Sequence, residues 1–222
     1  MTAALELDAD RRLALTYVPA RHHPAIRALW SLDATLGTVL AGGREPLISQ
    51  IKLAWWRDAL EALDRSPPPA EPVLQSVADQ IIPSGVTGSE LSQMEEGWTL
   101  LLSQVPLTPG DLDRYAAARG GLLFRYSGVI LGRQLSGEME QAGEGWALTD
   151  LARHSNATDA AAALEAVKER FSYPLRWPSP LRPLGMLAAL AKRDAQSGLE
   201  TLEPHGAPKR MLRMLRHRIT GG

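Results

Sequence analysis

Three arginines stand inside apolar segments, where a guanidinium needs an anion to face. Arg57 lies in Leu53-Ala54-Trp55-Trp56-Arg57-Asp58, Arg125 in Leu122-Leu123-Phe124-Arg125-Tyr126, and Arg153 follows Leu151-Ala152. Burying such a group without a carboxylate or a ligand is costly. Two roles fit: a structural ion pair (Arg57 with Glu61, Arg153 with Asp150), or recognition of a phosphate or diphosphate. Acids at helical spacing raise a second chemistry, the holding of magnesium. Glu140 and Glu144 are four apart and Asp58 and Glu61 three apart, so each pair shares a helix face. Neither has an evident facing partner, and one pair seldom holds a metal alone, so solvated faces are expected. Asp150 and His154 also have ligand spacing, but the acid is expected to orient the imidazole. His22-His23 before Pro24 reads as a helix entrance. There is no cysteine, which excludes disulfides, thiolate chemistry and cysteine-ligated metal. Nucleophile elbow, phosphate loop and dinucleotide fingerprint are absent as well.

The elements that must position these residues are helical. Ala and Leu recur at spacings of three and four, and alternating β-branched runs are missing. A first helix is expected over Ala3 to Tyr17, and a second after Pro24 with the stripe Ile26, Leu29, Trp30, Leu36, Val39 and Leu40. Gly42-Gly43 should stop that one. A third, from Pro46 to about Leu63, has a stripe of Ile48, Ile51, Trp55, Ala59 and Ala62, widened by Leu53, Trp56, Leu60 and Leu63. So broad an apolar face places it centrally. The proline-rich run 66–72 is a stiff connector. Further helices are expected at 73–81, 89–102, 109–131, 135–154, 158–170, 184–197 and 208–219, with an irregular connector from Tyr173 to Pro183. Thr108 should cap the 109–131 helix, with Pro109 in its first turn. Gly120-Gly121 inside that helix predicts a bend or a close approach by another helix or a ligand.

The chain of 222 residues fits one domain, 1–222, of eight or nine helices. Net charge is −1, with acids in excess up to residue 110 and bases in excess beyond it. No concentrated basic face marks a nucleic-acid binder. The acidic first residues do not resemble a signal peptide, and no apolar run is long enough to span a bilayer, so a cytoplasmic location is expected.

Five segments carry a family resemblance. Ala28-Leu29-Trp30-Ser31-Leu32, Arg44-Glu45-Pro46-Leu47-Ile48 and Leu53-Ala54-Trp55-Trp56-Arg57-Asp58-Ala59-Leu60 resemble the squalene/phytoene synthase family, especially a divergent branch related to a mitochondrial complex I assembly factor. Tyr115-Ala116 through Gly120-Gly121-Leu122-Leu123 resembles a family helix, and Gly145-Trp146-Ala147-Leu148-Thr149-Asp150-Leu151-Ala152-Arg153 resembles another. The resemblance implies an isoprenoid-synthase-like helical bundle around a central cavity. It also implies head-to-head joining of two allylic diphosphates, held through magnesium by aspartate-rich motifs on facing helices.

Where those motifs should fall, Leu40-Ala41-Gly42-Gly43-Arg44 and His154-Ser155-Asn156-Ala157-Thr158, no carboxylate is present, although Arg153 matches the family arginine. The expectation is therefore a non-catalytic descendant without a metal cofactor, which binds an isoprenoid or lipid-like ligand or a protein partner. Mg²⁺ returns only in the alternative of an active prenyltransferase. Arg57, Tyr115, Arg125 and Arg153 are the candidate ligand-binding residues. Trp30, Glu45, Pro46, Trp55, Trp56, Gly120 and Gly121 are the signature and core positions. Of the tryptophan pair, Trp55 is expected in the core and Trp56 toward a neighbouring helix or the cavity mouth. In 208–219, the stripe Met211, Leu212, Leu215 and Ile219 is expected to dock on the domain, with peripheral contact to an anionic membrane as the alternative.

Overall fold

Helix formers spaced at three and four residues fold as helices throughout: α1 (Ala9–Thr16), α2 (His23–Ala41), α3 (Pro46–Ala62), α4 (Pro72–Gln80), α5 (Gly88–Ser92), α6 (Met94–Leu100), α7 (Pro109–Ala116), α8 (Leu122–Ile130), α9 (Gly137–His154), α10 (Ala157–Arg170), α11 (Arg182–Ser197) and α12 (Pro208–Thr220). The computed structural model describes residues 7–41, 45–103, 106–171, 174–198 and 201–222, and no strand occurs among them. The architecture is a single all-α bundle. The expected stop at Gly42-Gly43 lies outside the described residues, as do Ala3 to Glu6, Arg44 and Tyr173.

Local chemistry sets most boundaries. The Thr108 side chain accepts from the Asp111 backbone N–H while the Asp111 carboxylate accepts from that of Thr108, a reciprocal cap with Pro109 in the first turn. Asp8, Glu71, Thr87 and Asn156 cap α1, α4, α5 and α10 in related ways. Twelve α-helices stand among the described residues rather than eight or nine, in part because two of the expected helices are each divided. The 89–102 segment breaks at Gln93 into α5 and α6, and the 109–131 segment is interrupted by a π turn over Ala117–Gly121. The 173–183 connector ends earlier than expected, because Pro183 is accommodated in the first turn of α11.

The π turn explains the glycine pair. A Cβ on Gly120 would stand 2.1 Å from the Gly143 carbonyl oxygen and 2.8 Å from the Ala147 Cβ, so α9 crosses here at backbone contact. Gly121 has more room, with Glu144 at 3.6 Å. Around this crossing α2 forms the centre of the core: Ile26, Leu29, Trp30, Leu32 and Leu36 are fully buried, and the Trp30 indole N–H donates to Ser127 on α8. A second apolar cluster joins α7, α9 and α10 through Leu112, Tyr115, Leu148, Ala163 and Val167.

Two helices are turned differently from expectation. On α3 the buried face is Ser49, Leu53, Trp56 and Leu60, whereas Leu47, Ile48, Ile51 and Trp55 are exposed. The tryptophan assignment is thus reversed, with Trp55 46% and Trp56 7% exposed. Helix α3 is peripheral, packed through one face on α2, α5 and α6. On α12 the docked face is Arg210, Met214 and His217, and the stripe expected to dock faces solvent.

Candidate functional site

The residue that organises the site is Arg119, in the π turn. It is 2% exposed, and a buried guanidinium must be answered on all its N–H groups. Its Nε and Nη2 donate to the two carboxylate oxygens of Asp33 on α2, at 3.0 and 3.2 Å. Its Nη1 donates to Asp150 on α9 at 2.7 Å and to the Tyr115 hydroxyl at 2.5 Å. The guanidinium also lies near two indole rings, 4.2 Å from the Trp98 centroid and 5.0 Å from that of Trp146, where the ring quadrupole attracts a cation. Arg11 adds a second cation from α1: it donates to Asp33 at 2.9 Å and to its own cap, Asp8, at 2.5 Å. Tyr115 completes the group, its hydroxyl donating to the Ala147 carbonyl.

The electrostatics follow from this contest of burial and charge. Burial alone would raise the Asp150 carboxyl, but the adjacent Arg119, with His154 and Arg11, draws it down to about 2. Burial would lower Arg119, yet Asp33, Tyr115 and Asp150 hold it well above the usual arginine range. Burial pushes the Tyr115 hydroxyl up, so it is a neutral phenol.

This cluster closes the buried end of a cavity of about 690 Å³ between α2, α6, α7, α9 and the start of α10. Such a volume suits a small organic ligand. Leu40, Leu101, Leu107 and Leu151 supply apolar wall, and Arg11, Tyr115, Arg119 and Asp150 supply the polar end. His154, with a side chain 67% exposed, stands at the opening. The acids lining the cavity are Asp8, Asp150 and Asp159, and each already accepts a bond from its own chain: Asp8 from Arg11, Asp150 from Arg119, and Asp159 from the Leu107 N–H.

Of the four ligand-binding candidates named from sequence, Tyr115 alone lines this cavity. Arg57 is exposed on α3 and pairs with Asp58 rather than Glu61, since its turn of the helix faces outward. Arg125 is exposed on α8 and pairs with Glu140. Arg153 turns away from Asp150, which Arg119 engages, and pairs instead with Asp194 on α11 at 2.5 Å. The acid pairs are also divided: Glu144 binds Arg170 while Glu140 binds Arg125. His154 Nδ1 lies 2.8 Å from the Asp150 main-chain oxygen and 3.7 Å from its carboxylate. Glu45 is exposed ahead of α3, with Pro46 in the first turn. One group among the described residues has metal-ligand spacing, Asp8, Asp10 and His205. Arg11 and Arg210 already occupy its carboxylates.

Sequence reasoning missed Arg11, Asp33 and Arg119. A signal was present, because Asp33 falls inside the α2 stripe between Trp30 and Leu36, where an acid must find a buried base.

No curated protein and no solved structure matches the chain. The family model described as squalene/phytoene synthase matches residues 6–178, well over half of the chain, and this span contains Arg119, both of its carboxylates and all of the cavity lining except His205. The chain belongs to the squalene/phytoene synthase family.

Proposed function

We propose that this family member binds an isoprenoid or similar lipid-like molecule in the cavity and does not condense allylic diphosphates. The observation that carries this reading is the state of the two carboxylates on facing helices. Asp33 gives both oxygens to Arg119 and Arg11, and Asp150 gives one to Arg119. A divalent cation shared between α2 and α9 would have to enter beside two buried guanidinium groups and displace them. The donor set therefore does not fit magnesium, and no step through a metal follows from it. A ligand with a neutral polar head and an apolar chain matches both ends of the cavity: hydrogen bonds at Arg119 and Tyr115, and contact with Leu40, Leu101 and Leu151.

Calorimetric titration with farnesol and with farnesyl diphosphate, each with and without Mg²⁺, tests the reading. Farnesol should bind, Mg²⁺ should change neither affinity, and no diphosphate should be released. Magnesium-dependent binding followed by diphosphate release would overturn it. A second reading, a protein-interaction module of the kind the resemblance to an assembly factor suggests, is favoured by the exposed apolar face of α3, Leu47, Ile48, Ile51 and Trp55. Absence of binding by any lipid in the same titrations would shift the balance to it.

A further inference from the structure

We propose that α12 is a membrane-docking helix that lays the ridge Met211, Leu212, Leu215 and Ile219 on the surface of an anionic phospholipid bilayer. This surface is distinct from the cavity and does not depend on what the cavity holds.

The helix is fastened to the domain by its other side. Arg210, Met214 and His217 are buried, and Arg210 pairs with Asp10 on α1 and Asp194 on α11. At the C-terminal end, Arg182 donates to the carbonyls of Arg218 and Ile219, and Gly221, in the left-handed region at φ 75°, turns the chain so that its carbonyl accepts from the Trp177 N–H. Met214 is thus the one large apolar residue of the helix that helps to fix it. The others remain outside, with Leu212 69% and Ile219 77% exposed. At about 100° per residue the ridge is centred about 150° from the docked face, so it points away from the protein.

Charge identifies the occupant. Lys209, Arg213 and Arg216 form a strip along one flank of the ridge, and Arg218 stands on the other flank over the Tyr17 ring. Arg213 and Arg216 are exposed and have no ion-pair partner among the described residues, and Lys209 reaches Glu203 only at 4.0 Å. An apolar ridge flanked by bases, on a helix about 20 Å long, matches a bilayer interface in which the ridge enters the acyl boundary and the exposed bases meet lipid phosphates. A second copy fits worse, because pairing two ridges would bring like charges together. No helix among the described residues is long and apolar enough to cross the membrane, so the contact is peripheral.

Co-sedimentation of the full chain with vesicles tests this. The protein should pellet with phosphatidylglycerol-containing vesicles at low salt and stay in the supernatant with pure phosphatidylcholine. The double variant Leu212→Glu, Ile219→Glu should stay in the supernatant with both, at an unchanged melting temperature, because both residues are exposed. Arg213→Gln with Arg216→Gln should weaken binding about 30-fold. Failure of the wild type to pellet with anionic vesicles would overturn the proposal, as would pelleting that neither double variant reduces. A dimer in sedimentation velocity that the glutamate variant dissolves, without vesicle binding by the wild type, would assign the ridge to a second copy instead.

Discussion

Two buried charge clusters lie on either side of α1, and they differ in what they face. Asp8 and Arg11 turn toward Asp33, Arg119 and Asp150, the group that closes the cavity. Asp10, on the same helix, turns toward Arg210, which continues to Asp194 and through it to Arg153. Between the clusters is a void of about 20 Å³, room for at most one water. The first cluster borders the cavity of about 690 Å³, and the second is covered by α12. A buried ion pair need not stabilise a fold more than apolar residues would, but leaving one partner unpaired is costly. Both clusters therefore help to specify which helices meet, and the first also presents polar groups to the cavity.

The largest expected effect breaks the first cluster. Asp33→Ala leaves Arg119 and Arg11 without their shared carboxylate in a buried setting, and should lower stability by about 3–5 kcal/mol. Asp194→Ala, which removes the carboxylate shared by Arg153 and Arg210 and leaves Arg210 with Asp10 alone, should cost a similar amount. Denaturant unfolding measures both. The comparison sharpens in ligand titrations with whatever protein remains folded: Asp33→Ala should change cavity affinity, and Asp194→Ala should not. A loss below about 1 kcal/mol for Asp33→Ala would mean that Arg119 finds another anion or water.

A smaller effect tests the frame around Arg119. Gly120→Ala forces a methyl into the Gly143 carbonyl and should cost about 1–3 kcal/mol. Gly121→Ala, one position on, has ordinary contact distances and should be neutral or stabilising by about 0.5 kcal/mol. Equal costs for the two would show that helix propensity, not the α9 crossing, controls this turn.

The glycine pair shows how far sequence reasoning reached. Gly120-Gly121 announced a close approach, and Thr108-Pro109 announced a helix start, because both depend on backbone chemistry within a few residues. Helix α3 shows where that reasoning stops. It carries large apolar residues on two opposite faces, Leu53, Trp56 and Leu60 on one and Ile48, Ile51 and Trp55 on the other. Periodicity says which residues share a face; packing on α2, α5 and α6 decides which face turns inward. The same ambiguity reversed α12, whose docking rests on the ion pairs of Arg210 rather than on its apolar stripe. The site cluster was hidden for another reason: Asp33 and Arg119 are 86 residues apart, and no local pattern joins them.

The smallest expected effect is a pH dependence at the seam between the clusters. His205 lines the cavity, and its Nδ1 lies 2.6 Å from an Asp10 carboxylate oxygen in the second cluster. The hydrogen bond to Asp10 raises the imidazole above its usual value, burial opposes this, and the charges of Asp8 and Asp10 add to the rise. The folded chain thus holds this proton more tightly than the unfolded chain does. The resulting stability is fully present below about pH 6.5, the unfolded value, and is lost as pH rises through the folded one. His217, beneath α12, works in the opposite sense. Burial, reinforced by Arg182, lowers it to about 4, so stability falls as pH drops from about 6.5 toward that value. Thermal unfolding followed by circular dichroism should therefore show a maximum near about pH 6.5, with a shallow alkaline decline. His205→Gln should flatten that decline and leave the acid limb in place. The difference should stay under about 1 kcal/mol, because a third of the His205 side chain is open to solvent. An alkaline decline that persists unchanged in His205→Gln would remove this histidine from the link between the two clusters.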